Sequence, residues 1–154
     1  MGEVRAKKAL GQHFLTDLNI ARKISDSLSG GGDVLEVGCG TGVLTQFLLE
    51  RDDITLYGAE VDSESIEYLN RHYPQFSDRL FAGDFLRMPL EEKFPGGLKI
   101  IGNFPYNISS QIFFKVLENR DLIPLLVGMV QREVSVRLAE RLGCRGEDIL
   151  MYSL

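Results

Sequence analysis

Two short stretches hold the residues whose types and spacing can do chemistry. In Gly38-Cys39-Gly40-Thr41-Gly42, glycine recurs at every second position directly after the apolar-rich residues 34–37. Glycine turns tightly and leaves no side chain between backbone and ligand. A strand, a glycine loop and a helix in that order build a site for a nucleotide-type cofactor, the helix offering N–H groups at its start. In Asn103-Phe104-Pro105-Tyr106, a side-chain amide, a stiffened carbonyl and an aromatic ring fall within four residues. Pro105 lacks an N–H and fixes its own φ. The Asn103 amide oxygen and the Pro105 carbonyl are both acceptors. Aimed at the two N–H groups of an exocyclic amine, they favour a pyramidal, electron-rich nitrogen over one whose lone pair is spread into the ring. Tyr106 offers a face on which an unstacked base can lie.

Two acids fit the same chemistry. Glu60 follows Gly38 by 22 residues, close to the spacing of about 20 for an acid that binds ribose hydroxyls. A carboxylate accepts two hydrogen bonds from a vicinal diol. Asp84, in Gly83-Asp84-Phe85, can accept from an adenine amino group with Phe85 beside the ring.

The elements that must position these residues alternate. The apolar-rich stretches 34–37, 54–60, 80–82, 99–102 and 125–130 read as strands,. Helical patterns lie between and around them. Thr16 or Asp17 caps a helix with Ile20, Ile24 and Leu28 on one face, stopped by Ser29-Gly30-Gly31-Gly32,. A second pattern starts with Val43-Leu44 and ends near Arg51. A third opens at Asp62 or Ser63, carries Ile66 and Leu69, and closes at Pro74. Ile108, Ile112, Phe113, Val116 and Leu117 trace a fourth, and Val134, Leu138 and Leu142 a last,. Residues 147–154 are too few to assign. Five strand–helix alternations predict an α/β fold with a doubly wound parallel sheet. In such sheets the ligand sits beyond the carboxyl ends of the strands. Gly38, Glu60, Asp84 and Asn103 all fall there.

At 154 residues the chain is one domain long enough to bury a core,. It has no membrane-length apolar run and no signal peptide. Two cysteines make no disulfide framework and point to a reducing, cytoplasmic setting,. No metal-ligand spacing is present. A net charge of −5 argues against a general nucleic-acid coat,. It leaves room for local basic surfaces at Arg5, Lys7 and Lys8, and at Arg132, Arg137, Arg141 and Arg145,.

The spacing G-x-G-x-G behind Glu36 resembles motif I of class I methyltransferases, whose Rossmann-like sheet binds S-adenosyl-L-methionine. More of the chain resembles one family, the ribosomal RNA adenine N6,N6-dimethyltransferases. The matching stretches are Leu10-Gly11-Gln12-His13-Phe14-Leu15, the glycine loop with residues 34–37, Gly83-Asp84, Gly102-Asn103-Phe104-Pro105-Tyr106-Asn107-Ile108-Ser109, and Met129-Val130-Gln131-Arg132-Glu133-Val134 with Arg137-Leu138. The resemblance implies dimethylation of two adjacent adenosines near the 3′ end of small-subunit rRNA, late in ribosome assembly on a pre-30S-type particle. It implies that His13 and Leu15 contact the cofactor, that Gly38 lies against its methionine part with Gly40 in the same loop, and that Glu60 meets its ribose. Asp84 then meets the adenine, Asn103 bridges cofactor and target amine, and Tyr106 stacks the target. A monomer without metal is expected.

Two features depart from the family. Cys39 stands where proline is usual, and a tight loop tolerates both. Family members continue into final strands and a small helical domain, so residues 1–154 are expected to be a catalytic domain cut short before them. Rival readings are an RNA-binding assembly factor without turnover, a large-subunit rRNA adenine methyltransferase, and a methyltransferase for DNA adenine or protein glutamine. Gln12-His13-Phe14-Leu15 disfavours the last.

Overall fold

The computed structural model describes residues 17–104, 108–130 and 149–153. The chain opens with α1 (Leu18–Ser27), capped by Asp17, whose carboxylate accepts from the N–H groups of Asn19 at 2.8 Å and Ile20 at 3.3 Å. Such a cap stabilises a helix by about 1 kcal/mol. Ile24 and Leu28 of its apolar face are buried. Then come β1 (Gly32–Val37), the short α2 (Thr45–Leu49) and β2 (Ile54–Glu60). Helix α3 (Ser63–His72) is capped by Asp62, which accepts from Ser65 N at 3.0 Å. A 3₁₀ segment (Pro74–Arg79) leads into β3 (Leu80–Ala82), and a single 3₁₀ turn (Phe85–Arg87) into α4 (Leu90–Lys93). Finally come β4 (Lys99–Asn103), α5 (Ser109–Glu118), β5 (Leu126–Val130) and β6 (Ile149–Ser153).

The sheet has six strands in the order β3-β2-β1-β4-β5-β6, and every pair is parallel. Alternate residues of each strand feed opposite faces, as the pleat requires. Leu35, Ile100 and Leu126 join one buried cluster with Ile112 and Phe113 of α5. Their neighbours Val34, Ile101 and Val127 join another with Ala21, Ile24, Leu48 and Leu69. Helices therefore cover both faces, and the doubly wound α/β arrangement holds. The strand order reverses between β1 and β4, which opens a crevice at their carboxyl ends.

Differences from the sequence reading are local. The apolar pattern from Val43 predicts a helix reaching Arg51, yet α2 has five residues, because Gly42 takes a positive φ of +88° and the chain leaves the turn only at Thr45. So short a helix contributes little dipole, and the loop backbone itself supplies the polar surface there. Strand β6, within residues too few to assign from sequence, pairs along β5 from Leu126↔Ile149 to Val130↔Ser153. The helix expected around Val134, Leu138 and Leu142 lies outside the described residues.

Candidate functional site

The glycine loop leaves β1 by three left-handed residues, Gly38, Gly40 and Gly42, at φ +75°, +56° and +88°. A side chain at any of them is strained. At Gly42 a Cβ would also lie 2.7 Å from the Tyr73 ring. At Gly40 no atom of the described residues stands within 4 Å of where a Cβ would lie. Gly38 N donates to Ala59 O at 2.9 Å and ties the loop to β2.

Glu60 ends β2, and it is almost fully buried. Its Oε1 accepts from Gly40 N at 2.8 Å. Its Oε2 accepts from Val61 N and Asp62 N, both at 2.9 Å. An ionised carboxylate offers about four lone-pair positions. Three are used, so Glu60 clasps the glycine loop to the end of β2. Two-bond capture of a diol by this carboxylate requires one of those bonds to open. Beside it Val61 is 62% exposed, an apolar side chain at the crevice.

Glu36 takes on a role only in the folded chain. It is 1% exposed inside β1, and Thr45 Oγ1 donates to its Oε1 at 2.5 Å. Burial pushes its carboxyl from an ordinary 4.5 up to about 8; the Thr45 bond opposes the rise, the nearby Glu60 charge adds to it, and Cys39 opposes it. A glutamate within a buried strand run is the signal that could have singled it out. Cys39 is buried, and burial foremost, then Glu36 and Glu60, holds its thiol well above its usual range. That makes it a packing residue rather than a reactive thiolate.

Asp84 follows β3 on an exposed turn and accepts from Leu86 N at 2.9 Å. Gly83 N donates to Glu60 O at 3.0 Å, so this turn is joined to the end of β2. Lys115, on α5, was missed by sequence reasoning. Its ammonium donates to the Phe85 carbonyl at 2.5 Å and the Met88 carbonyl at 2.6 Å, and lies 4.9 Å from the Phe85 ring centroid.

Asn103 is half-buried at the end of β4, opposite Met129 of β5. Phe104 turns inward and is 2% exposed. Its ring meets Phe113 edge-on at 5.7 Å. It occupies the space beside Gly128, where a Cβ would stand 2.1 Å from its Cε2. This buried ring anchors the start of the tetrapeptide between two strands. Pro105 and Tyr106 lie outside the described residues, as do His13 and Leu15.

Gly38, Gly40, Glu60, Asp84 and Asn103 thus stand at the carboxyl ends of β1 to β4, on one edge of the sheet. A cavity of about 350 Å³ lies at the opposite edge, among Gly32, Asp33, Gly97, Lys99 and Asp121. None of the described residues expected to do chemistry lines it. Among the described residues no group of His, Cys, Asp and Glu could hold a metal, and no helix is long and apolar enough to cross a membrane.

The model of one family, ribosomal RNA adenine dimethylase, matches residues 3–148. The chain belongs to that family. It is 54% identical over its whole length to ribosomal RNA small subunit methyltransferase A of Porphyromonas gingivalis, of which it covers 61%. It is 53% identical over 98% of its length to the protein of the same name from Parabacteroides distasonis, of which it covers 57%. The chain therefore spans about three fifths of these relatives. Among solved structures, the 23S rRNA methyltransferase ErmE matches 85% of the chain with TM-score 0.69 and 26% identity, over 53% of its own length. A dimethyladenosine transferase from Plasmodium falciparum matches 82% with TM-score 0.64 and 31% identity, over 46% of its own length. The doubly wound sheet of this family is thus the Rossmann-like sheet of class I methyltransferases.

Proposed function

We propose that this chain is the catalytic domain of an rRNA adenine N6,N6-dimethyltransferase that uses S-adenosyl-L-methionine. Its substrate is two adjacent adenosines near the 3′ end of small-subunit rRNA, presented on an immature small-subunit particle in the cytoplasm, and the enzyme acts as a monomer. The observation that carries the reading is the convergence of the glycine loop, Glu60, Asp84 and Asn103 on one edge of the sheet. Family membership and the names of the relatives at 54% and 53% identity support the small subunit over the large.

The described residues fit the cofactor. The loop from Gly38 to Gly40, the Glu60 carboxylate once one of its backbone bonds opens, the exposed Val61 side chain and the exposed Asp84 carboxylate suit, in turn, a methionine chain, a ribose, an adenine face and an adenine amino group. When bound, S-adenosyl-L-methionine supplies an electrophilic methyl group. His13 and Leu15, as the family resemblance implies, contact it. Asn103, through its amide oxygen, and Pro105, through its carbonyl, accept from the N6 amine of the target. Both bonds strengthen as the nitrogen becomes pyramidal, so they act mainly in the transition state. Tyr106 stacks the extruded base and holds it in line. No strong base is needed, because the amine proton can leave after transfer. Arg5, Lys7, Lys8, Arg132, Arg137, Arg141 and Arg145 contact RNA phosphates.

The test is methyl incorporation from labelled cofactor into immature small subunits, beside free large-subunit rRNA. Transfer to the small subunit alone is expected. Transfer to large-subunit RNA alone assigns the alternative substrate. RNA binding without transfer, despite bound cofactor, marks an assembly factor.

A further inference from the structure

We propose that Lys115 is the positioning residue of the adenine subsite: from α5 it fixes the turn whose Asp84 carboxylate recognises the adenine amino group. The proposal rests on the cofactor reading above and names a residue that reading does not use.

The turn is small: Phe85 and Met88 root it in the core and Gly83 N ties its start to Glu60 O, while Asp84 stands exposed between them. Residues 85–87 make one 3₁₀ turn, with Arg87 N bonded to Asp84 O and Met88 N to Phe85 O. Isolated 3₁₀ turns have poor hydrogen-bond geometry. Asp84 itself is exposed, and its Oδ1 accepts from Leu86 N. An exposed carboxylate on a short turn is a poor recognition device unless something else fixes its backbone. Lys115 does so from outside. An ammonium has three donors and no acceptor. Two of them close on Phe85 O and Met88 O, at either end of the turn, at 2.5 and 2.6 Å. Bonds from a charged donor are roughly twice as strong as neutral ones. The same ammonium lies over the Phe85 ring, which is buried. Burial lowers the tendency of Lys115 to ionise, while Asp84 and Glu118 act the other way. The cation thus braces the loop and steadies the recognising carboxylate.

Its place in the chain adds a second consequence. Helix α5 begins at Ser109, directly after the tetrapeptide and its following residues. Lys115 therefore joins the element that follows the target-amine loop to the turn that reads the cofactor base. Chain segments that bind two different molecules are linked through one side chain.

The experiment compares S-adenosylhomocysteine with its analogue lacking the purine 6-amino group, by calorimetry. It uses wild type, Lys115→Met, Lys115→Arg and Asp84→Ala. Wild type is expected to prefer the adenine form. In Lys115→Met that preference should fall about tenfold, the worth of a charged hydrogen bond, toward the value in Asp84→Ala. Lys115→Arg, which keeps a cation with several donors, should restore most of it. If Lys115→Met fails to fold, Lys115→Gln carries the same comparison. Equal loss of affinity for both ligands, with the preference intact, would overturn the proposal and leave Lys115 a structural tie. Absence of binding by wild type would instead overturn the cofactor reading. An unchanged preference in Asp84→Ala would remove Asp84 from recognition and the proposal with it.

Discussion

Replacing Glu36 by glutamine should remove a pH dependence of stability that a single buried carboxyl creates. Glu36 is fully enclosed in β1 and holds its proton up to about pH 8, against an ordinary value of 4.5. The folded chain therefore binds this proton more tightly than the unfolded chain. The resulting stabilisation is full below pH 4.5 and is lost as pH rises through about 8,. At about 1.36 kcal/mol per pH unit, the loss over the roughly three units above pH 5 is on the order of 4 kcal/mol. Glutamine has nearly the same shape, still accepts from Thr45 Oγ1, and carries no charge at any pH. Urea unfolding at intervals from pH 5 to 8.5 measures the effect. At a slope of about 2 kcal/mol/M, the wild-type midpoint should fall by about 2 M across that range. Glu36→Gln should fall far less, and should be the more stable chain at pH 8.5. Shifts at other groups are common to wild type and variant and leave the difference between them unchanged. Asp53, lowered by its hydrogen bond from Arg51, matters below pH 3.8, and Cys39 above pH 9. Parallel pH slopes for wild type and variant would refute the reasoning, and would mean that Glu36 is ionised in the folded chain.

Asn103→Ala should slow single-turnover methyl transfer by roughly 10²–10³ at saturating RNA, the loss for one preorganised polar contact, with less than about a tenfold change in cofactor affinity; transfer at the wild-type rate would reduce the tetrapeptide to a turn. Glu60→Ala removes the acceptor for three backbone N–H groups. Calorimetry should show cofactor binding weaker by about 1–3 kcal/mol, and an unchanged affinity would leave Glu60 a loop clasp only. Gly128→Ala places a Cβ against the Phe104 ring and should cost about 1–3 kcal/mol of stability through overpacking. Adding Phe104→Leu should recover part of that loss, and strictly additive costs would show that the two residues do not meet.

The order and type of elements could be read in the chain, because each rests on local rules. Ile20, Ile24 and Leu28 recur at the helical period, and Asp17 and Asp62 cap the helices that follow them. Apolar runs between helical patterns specified parallel strands, and the requirement for short strand-to-helix loops put Gly38, Glu60, Asp84 and Asn103 at the same edge. Glycine at positions 38 and 40 was decided by the left-handed backbone, and at 42 also by the Tyr73 ring beside it. What the side chains do there depended on partners far along the chain. Glu60 looked like a free diol acceptor, but folding brings Gly40 N onto it across 20 residues. Glu36 gained its high proton affinity only when helices on both faces of β1 removed it from water. Lys115 meets Phe85 across 30 residues, and Phe104 finds its space only because β4 and β5 lie side by side in register. Strand β6 likewise is settled by its pairing with β5, since an apolar run as short as residues 149–152 fits a strand or a helix until a partner supplies the hydrogen bonds,.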